Sequence, residues 1–473
     1  MIIFVQLDMI KFGTSGWRAI MGEEFTFQNV RTVVQAIANY LKKKFGRDIR
    51  VIVNYDTRFL SERFALEAAK VLSHNRIHVC IADRDSPSQA QSFQIISRKA
   101  QGGINFTASF NPPEYNGLKF NVETGAPALP QVTDKIEEEI KNLLKNYSSC
   151  PYYSKVEYIE KIDLQQDYLN DIQKKIDFET IRKSGIKIGV DLLYGTSREY
   201  LDEILEENHI PIEELHGYVD PYFGGITPSC RGENLWELRK VIKEKNCHLG
   251  IATDSDGDRF GILNEKGQFV DPDLVLALLL EYSVTKKKLK GGVGRSVATT
   301  HLLDKIARNY RLELYRTPVG FKYLADLFLR KKIVFGAEES ACLVIKGHLP
   351  EKDGIFAGLL VAEMISLEGK SLSELTEELF KKHGRKVRKQ IKIDLTEKRK
   401  QKFKDLVKNP PDKINQRKVL STHTVDGIKF NFSDDDWMLL RFSGTVPVIR
   451  CYAEAGTNKD LAELIDSGLE LVE

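Results

Sequence analysis

The chain reads IRVIVNY from Ile49 to Tyr55, an apolar run that predicts a buried β-strand. The polar triplet Asp56-Thr57-Arg58 follows it, and a helical pattern then runs from Ser61 to Leu72. This order of strand, polar loop and helix returns twice, with strands at 186–190 (IKIGV) and 292–297 (GVGRSV). Each copy is followed by a second apolar strand that ends in a polar loop, at 103–109, 249–258 and 333–340. The repetition predicts three α/β domains of one topology, with parallel or mixed sheets.

The sequence changes character after about residue 385, where a charged stretch is followed by short strands around the acidic turn Asp434-Asp435-Asp436. This pattern predicts a smaller C-terminal α+β domain. We place the four domains at residues 1–150, 151–265, 266–384 and 385–473.

The composition of the chain argues against several classes of partner and location. The net charge is only +3, which gives no general attraction to nucleic acid or anionic lipid. The six cysteines are scattered without a Cys-x-x-Cys pair, so we expect a reducing, cytoplasmic location. The longest aliphatic run, Leu274–Leu280, is too short to span a bilayer and predicts a buried helix. We expect small-molecule partners, no nucleic acid, no membrane, and a monomer or homodimer.

Ser109 lies where the strand of the stretch GGINFTASFNPPEYNG (102–117) gives way to a proline-rich loop. A serine hydroxyl at a strand end is well placed to act as a nucleophile, because the strand fixes the oxygen and the loop exposes it. The alternative is that Ser109 and Asn111 only cap the Pro-Pro turn. This segment alone leaves both interpretations open.

A second polar loop reads DSDGDR from Asp254 to Arg259. Carboxylates at 254, 256 and 258, with a glycine that lets the chain turn, form an oxygen cage suited to Mg²⁺. An EF-hand would need glycine where Arg259 stands, and a haloacid-dehalogenase-type phosphatase would need Thr or Val where Asp258 stands. A solvated acidic turn is the remaining alternative, although three such close carboxylates repel each other unless a cation neutralises them.

Two further loops are polar. The third reads GAEES (336–340), where Glu338 and Ser340 could contact sugar hydroxyls, although Glu339 could equally be an exposed turn residue. The fourth reads RFSGT (441–445) and precedes Arg450, a combination suited to phosphate or to a tight turn on a solvated face. Arg18 follows a glycine-flanked turn near the N-terminus.

Taken together, a serine nucleophile, a divalent-cation cage, a polyol clamp and a phosphate cradle describe phosphoryl transfer on a sugar phosphate. Charge on the moving phosphoryl group must be neutralised by metal and basic side chains.

With these four loops in this order, the sequence resembles the α-D-phosphohexomutase family, the phosphoglucomutase/phosphomannomutase group, from about Phe12 to Glu454. The resemblance implies a heart-shaped protein of four domains around a central cleft, to which each domain contributes one loop. It also implies phosphate exchange between the 1- and 6-positions of a hexose through a bisphosphorylated intermediate.

The resemblance implies roles for residues at matching positions. Ser109 would carry the phosphate, with Lys119, Arg18 and Arg259 beside the reacting group. Mg²⁺ would be held by Asp254, Asp256, Asp258 and an oxygen of phosphorylated Ser109. Substrate-binding residues would be Glu338 and Ser340 for the sugar, His348 and Lys352 as in one bacterial branch, and Arg441, Ser443, Gly444, Thr445 and Arg450 for the non-reacting phosphate.

Three positions depart from the common family pattern. Phe110 stands where histidine usually follows the serine, Cys342 stands where many mutases have histidine, and Val446 replaces a frequent Glu. His348 in the segment GHLPEKDG (347–354) could substitute for the second histidine.

The Glu-Glu-Ser loop favours glucose, with mannose possible, since phosphoglucosamine mutases usually carry Gln between the Glu and the Ser. We expect glucose 1,6-bisphosphate as activator. An aspartate-nucleophile sugar phosphatase and a non-catalytic sugar-phosphate sensor remain as alternatives.

Overall fold

The computed structural model describes residues 10–145, 157–444 and 447–473, and these form two compact units. The first unit contains the described residues up to Pro272 together with Ser340–Leu372. The second contains Asp273–Glu339 and the described residues from Ser373 to Glu473. The predicted site residues are therefore divided between the two units.

The first sheet of the first unit is mixed. Its six strands are β1 (Trp17–Ile20), β2 (Arg50–Tyr55), β3 (His78–Ala82), β4 (Gly102–Phe106), β5 (Tyr115–Val122) and β6 (Ile159–Ile162), in the order β1-β5-β4-β2-β3-β6. β2 is parallel to β3 and β4, β3 is parallel to β6, and β5 is antiparallel to β1 and β4. The helices of this part are α1 (Phe27–Phe45), α2 (Ser61–His74), α3 (Ser88–Ser97) and α4 (Pro130–Lys145). Five consecutive residues of β2 are buried, as expected for a central strand covered on both faces.

The second sheet of this unit is also mixed. Its strands are β7 (Ile188–Asp191), β8 (Ile212–Leu215), β9 (Leu249–Thr253), β10 (Phe260–Leu263) and β11 (Phe269–Val270), in the order β11-β10-β9-β7-β8. Its helices are α5 (Gln165–Gln173), α6 (Phe178–Ser184), α7 (Leu201–Glu207) and α8 (Trp236–Lys245), with a 3₁₀ turn at Phe223–Gly225. β7 is parallel to β8 and β9, whereas β9 and β10 form an antiparallel hairpin whose connection is the aspartate loop.

The second unit begins with a parallel arrangement in which β12 lies between β13 and β14. Its elements are α9 (Pro272–Thr285), β12 (Gly292–Ser296), α10 (Leu302–Asn309), β13 (Leu314–Thr317), α11 (Phe321–Leu329) and β14 (Ile333–Glu338). The chain then returns to the first unit for β15 (Cys342–Ile345) and α12 (Gly354–Glu368), and α13 (Leu372–His383) follows.

The C-terminal part of the second unit is antiparallel. Its strands are β16 (Val387–Asp394), β17 (Lys413–Ile414), β18 (Arg417–Lys418), β19 (Ser421–His423), β20 (Ile428–Asn431), β21 (Trp437–Phe442) and β22 (Val448–Ala455), and its helices are α14 (Glu397–Lys408) and α15 (Asn458–Glu470), with a 3₁₀ turn at Ser433–Asp435. Five strands form one sheet in the order β16-β22-β21-β20-β19, and β17 pairs with β18.

The predicted fold class, three α/β domains and a smaller α+β domain, is confirmed by these elements. The aliphatic run Leu274–Leu280 lies buried inside α9, as predicted. In the parts of the chain that the structure describes, no helix has both the length and the apolar character needed to cross a bilayer. The exact domain limits stay a prediction.

A buried ion pair links the ends of β7 and β8 in the second sheet. Asp191, at the end of β7, is fully buried, and its Oδ1 lies 2.8 Å from Nδ1 of His216. The His216 ring also packs against Tyr194, with 4.4 Å between ring centroids. Burial by itself lowers the pKa of His216, but Asp191 and Glu237 outweigh it and raise the pKa. Protonated His216 therefore stabilises this part of the fold.

This raised pKa sets the direction of a pH effect. Stabilisation from protonated His216 is complete below the unfolded pKa and is lost as pH rises through the higher folded pKa. We expect His216→Asn to lower the free energy of unfolding by roughly 1 kcal/mol more at pH 5.5 than at pH 9. Thermal midpoints from circular dichroism at the two pH values measure the difference.

The matched control is His209→Asn. His209 is exposed and shares with His216 a backbone φ of 55°, which asparagine tolerates. An equal pH dependence in the two variants would contradict the assigned role of His216.

Candidate active site

Ser109 is held rigidly just beyond the end of β4. It is fully buried and has a φ of 51°, an uncommon left-handed conformation for a residue with a side chain. Its N–H donates to Oγ1 of Thr107 (2.8 Å), and its carbonyl accepts from Oγ of Ser255 (2.8 Å). Its Oγ donates to Oδ2 of Asp254 at 2.7 Å, so the hydroxyl faces the aspartate loop.

Arg58 clamps the backbone of the Ser109 loop. Its buried guanidinium donates to the carbonyl oxygens of Ser109, Asn111 (2.6 Å), Pro112 (2.7 Å) and Tyr115 (3.1 Å). Its Nε lies 3.2 Å from Oδ2 of the buried Asp56, which supplies the balancing charge. In the sequence, Arg58 is recognisable only as part of a repeated polar loop. A usable signal was present, because loops at the carboxyl ends of neighbouring parallel strands meet at one sheet edge.

The aspartate loop joins β9 to β10. The carboxylates of Asp254, Asp256 and Asp258 are all buried, and one oxygen of each lies within 4.8 Å of the others. Gly257 makes the turn possible with a φ of 69°, and a Cβ there would come within 2.8 Å of Oγ of Ser197. Glycine suits this position because it has no Cβ to approach Ser197 and adopts a positive φ without strain.

Two lysines from distant parts of the sequence offset these charges. Lys119, on β5, donates to Asp256 and, at 2.7 Å, to Oδ2 of Asp258. Lys352, just before α12, donates to the same oxygen of Asp258. Its neighbour Glu351 is itself held by the side-chain amide of Asn121 at 2.7 Å.

Burial and neighbouring charges shift the pKa values of Asp254 and Asp258 in opposite directions. Burial raises the pKa of Asp254, and the nearby Asp256 and Asp258 raise it further. Burial also acts to raise the pKa of Asp258, but Lys119 and Lys352 outweigh it and hold the pKa far below its usual range. Burial acts to lower the pKa of Lys352, and the attraction of Asp258 reverses this. Asp258 is therefore ionised although it is buried, whereas the raised pKa of Asp254 favours its protonated form.

The loop fits a divalent cation. Oδ1 of Asp256 and Oδ1 of Asp258 are buried and accept no hydrogen bond from the residues that the structure describes. Carboxylate oxygens are the preferred ligands of Mg²⁺. The predicted metal residues are thus brought together with Ser109, whose Oγ contacts Asp254.

Two arginines lie at the side chain that follows Ser109. The guanidinium carbon of Arg259 lies 4.2 Å from the centroid of the Phe110 ring, and that of Arg18 lies 5.5 Å from it. Arg18 also donates to Oδ1 of Asn111 at 2.8 Å. Burial, and then repulsion from Arg259, lowers the pKa of Arg18 to about 10. The first unit therefore contains Ser109 together with four of the predicted basic residues, Arg18, Arg259, Lys119 and Lys352. The predicted roles require this placement.

His348 has several side-chain contacts inside the first unit, and its contact with substrate stays a prediction. Its side chain is only 3% exposed, and its Nε2 lies 2.8 Å from Oδ2 of Asp353. Its ring stacks on Phe356 with 4.0 Å between centroids, and its Nδ1 lies 3.2 Å from Nζ of Lys175. Asp353 in turn caps α12. These contacts favour a structural part for His348, so they do not support the predicted contact with substrate.

The neighbouring Ser340 and Cys342 contact each other. Oγ of Ser340 lies 3.3 Å from Sγ of Cys342, which is buried. Cys342 therefore presents a small, weakly polar group beside Ser340.

Glu338 and the fourth loop belong to the second unit. Glu338 ends β14 and accepts from the N–H of Gly320 at 2.6 Å. The adjacent N–H of Val319 donates to Asp426 (3.0 Å), which also accepts from Nε of Arg441 (2.9 Å). The turn at residues 319–320 thus connects Glu338 with Arg441, a link through Asp426 that the sequence analysis missed.

The remaining residues of these two loops behave differently. Oε2 of Glu339 accepts from Oγ of Ser296 at 2.7 Å and the residue is half-buried, which disfavours the alternative of an exposed turn residue. Arg441 and Arg450 are paired across β21 and β22, and Nε of Arg450 lies 3.4 Å from Oγ of Ser443. Gly444 follows, whereas Thr445 and Val446 lie outside the described residues.

Comparison with known proteins agrees with this organisation. Models of the phosphoglucomutase/phosphomannomutase family match in order along the chain: α/β/α domain I at residues 9–147, domain II at 166–267, domain III at 271–383 and the C-terminal domain at 391–470.

Individual relatives span nearly the whole chain. A phosphoglucomutase/phosphomannomutase of Thermococcus kodakarensis is 28% identical, with 98% of each chain covered. A Pyrococcus abyssi protein provisionally named phosphoglucosamine mutase is 30% identical over 98% of this chain and 97% of its own. The crystal structure of a Thermus thermophilus protein provisionally named phosphomannomutase superposes with a TM-score of 0.85 at 28% identity, covering 98% of this chain and 99% of that one. The chain therefore belongs to the phosphoglucomutase/phosphomannomutase family and is a phosphohexomutase, an isomerase.

Proposed function

We propose that the protein interconverts hexose 1-phosphate and hexose 6-phosphate, with glucose as the favoured sugar and mannose as a second substrate. The observation that carries this proposal is the hydrogen bond from Oγ of Ser109 to Asp254, inside a group of three buried aspartates. A buried hydroxyl beside a divalent-cation cage and several basic side chains has the parts that phosphoryl transfer requires.

In the proposed reaction, Ser109 carries the phosphoryl group. The bond between phosphorus and Oγ breaks while the free sugar hydroxyl forms its own bond to phosphorus, and the proton of that hydroxyl ends on Oγ of Ser109. The resulting bisphosphate turns over and returns its other phosphoryl group to Oγ. We assign Lys119 and Arg18 to the reacting hydroxyl and Arg259 to the phosphoryl oxygens. Lys119 donates to Asp256 of the aspartate loop, and the two arginines contact Asn111 and Phe110 of the Ser109 loop.

Mg²⁺ would be held by Asp254, Asp256, Asp258 and an oxygen of phosphorylated Ser109. When bound, it would neutralise charge on the phosphoryl oxygens. Oδ1 of Asp256 and Oδ1 of Asp258, which accept no hydrogen bond from the described residues, support this assignment.

A bisphosphorylated intermediate needs a second set of phosphate ligands. Arg441, Ser443, Gly444, Thr445 and Arg450 are assigned to the non-reacting phosphate. The pairing of two arginines across β21 and β22 supports this, because two guanidiniums at one position suit a dianion. Glu338 and Ser340 are assigned to the sugar hydroxyls.

Glucose 1,6-bisphosphate would act as activator, because a protein with unphosphorylated Ser109 has no phosphoryl group to give. It would donate one phosphoryl group to Oγ of Ser109 and leave as a monophosphate.

Replacing the proposed carrier gives the first test. We expect Ser109→Ala to abolish interconversion of glucose 1-phosphate and glucose 6-phosphate, because no other group accepts the phosphoryl group. A coupled assay measures the rate, and intact mass measures loss of the single phosphoryl group. Ser97→Ala, at the exposed end of α3, is the matched control.

An active Ser109→Ala protein would contradict the proposal. Net release of phosphate with a labile acyl phosphate would favour the phosphatase built on Asp254 and Asp256. Binding without turnover after priming with glucose 1,6-bisphosphate would favour a sensor.

Metal dependence gives the second test. We expect chelation with EDTA to abolish activity and Mg²⁺ to restore it. We expect Asp256→Asn to weaken Mn²⁺ binding on the order of a hundredfold, because one charged oxygen ligand is lost. Electron paramagnetic resonance of Mn²⁺ measures the affinity. Asp326→Asn, on α11, is the matched control, and an equal loss in both variants would contradict the metal assignment.

Sugar recognition gives the third test. We expect similar kcat/KM for glucose and mannose 1-phosphates, within roughly a hundredfold, because one hydroxyl at C2 is weakly discriminated. Glucosamine 1-phosphate should be the poorest of the three. Rates measured on all three with Mg²⁺ decide this, and preference for glucosamine would overturn the choice of sugar.

The two glutamates of the third loop provide a matched pair. We expect Glu338→Gln to lower kcat/KM for glucose 1-phosphate by roughly 10- to 100-fold, the scale of a charged hydrogen bond. Glu339→Gln should cost less, because its carboxylate is turned toward Ser296. The reverse order would contradict the assignment of Glu338 to the sugar.

A further inference from the structure

Phe110 occupies an unusual position for an aromatic side chain. It follows Ser109 directly, and its half-buried ring contacts two guanidinium groups. Arg259 lies 4.2 Å from the ring centroid and Arg18 lies 5.5 Å from it. Both distances fall within the range in which a cation is attracted to the face of an aromatic ring.

The backbone around Phe110 is fixed on both sides. The carbonyl of Ser109 accepts from Arg58 and from Oγ of Ser255, and Oδ1 of Asn111 accepts from Arg18. The ring is therefore presented at a defined place. Its contact with Arg18 is reinforced by the hydrogen bond from Arg18 to the next residue along the chain.

The two arginines repel each other at this place. Repulsion from Arg259 contributes to the lowered pKa of Arg18. Arg259 also has a carboxylate neighbour, since its Nε lies 3.7 Å from Oδ1 of Asp258, but the Phe110 ring is the side chain that contacts both guanidiniums. An aromatic ring attracts both cations through its quadrupole and leaves their charge intact.

We propose that Phe110 is a positioning residue whose ring holds Arg259 at the phosphoryl group on Ser109 and Arg18 next to it, beside the hydroxyl that receives that group. This inference rests on the proposed phosphoserine function of Ser109. The chemical group addressed is a phosphate monoester dianion, for which two converging guanidiniums provide several N–H donors. The proposed role of the Phe110 ring, which is to hold two arginines in place, does not require a titratable side chain at this position.

The proposal predicts a specific kinetic pattern. Arginines aimed at the transferring phosphoryl group contribute mainly in the transition state, so losing their alignment should lower kcat more than it raises KM. A residue that only filled space would instead lower thermal stability or change both constants together.

The experiment compares ring-free with ring-containing variants of the Mg²⁺-bound phosphoenzyme. We expect Phe110→Leu to lower kcat roughly tenfold while KM for glucose 1-phosphate changes by less than about twofold. Phe110→Tyr, which keeps the ring, should retain most of the wild-type kcat. Phe110→Met is a second ring-free variant, in case the leucine variant does not fold, and thermal midpoints check folding in each.

Coupling to Arg259 separates positioning from packing. In an Arg259→Ala background, Phe110→Leu should cost much less than in the wild-type protein, because the cation that the ring aligns is gone. Costs that simply multiply across the double mutant would overturn the proposal.

A readout independent of turnover is the ³¹P resonance of phosphorylated Ser109. We expect it to move toward the position of free phosphoserine in Phe110→Leu and to stay near the wild-type position in Phe110→Tyr. Identical spectra for wild type and Phe110→Leu, or equal losses of kcat in the leucine and tyrosine variants, would overturn the role of Phe110.

Failure of the proposed function and failure of this inference would give different results. Absence of phosphate on Ser109 in the active wild-type protein would remove the proposed function and this inference with it. A phosphorylated, active wild type whose Phe110→Leu variant behaves identically would remove only this inference.

Discussion

Three carboxylates buried in one turn form the constraint on which the first unit depends. Asp254, Asp256 and Asp258 are all withdrawn from water and lie close enough to repel one another. Removing a charge from water costs several kcal/mol unless another charge compensates it. Lys119 supplies compensation from β5, and Lys352 supplies it from the segment before α12. Electrostatics therefore joins distant segments, since Lys119 and Asp256 are 137 positions apart and Lys352 and Asp258 are 94 positions apart.

The second requirement is a rigid backbone at the reacting oxygen. The left-handed conformation of Ser109 costs on the order of 1–2 kcal/mol, and such strain persists only when its surroundings enforce it. Arg58 enforces it with several charge-assisted hydrogen bonds to the loop carbonyls, and Asp56 keeps that guanidinium paired. A fixed hydroxyl suits phosphoryl transfer, because catalysis there depends mainly on positioning and on preorganised charge.

The positions that depart from the family pattern show how a site can be assembled with other side chains. Phe110 contacts two arginines where a histidine is usual, and Cys342 is buried beside Ser340. His348, for which its place in the sequence predicts substrate binding, is bonded to Asp353 and stacked on Phe356. A side chain with several good partners nearby is held by them, and its position in a motif does not reveal those partners.

The sequence by itself determined the fold class and the main chemistry. Strand and helix periodicity is local, so the repeated strand–loop–helix units, the serine at a strand end and the alternating aspartates could be read directly from the chain. Tertiary structure alone decided which charges meet. Arg58 reaches the Ser109 loop across a sheet edge, Asp426 joins Arg441 to the turn beside Glu338, and Phe110 meets its two arginines only in the folded chain. Such contacts join residues far apart in sequence, and they are selected by burial and by the need to compensate charge, which no local pattern records.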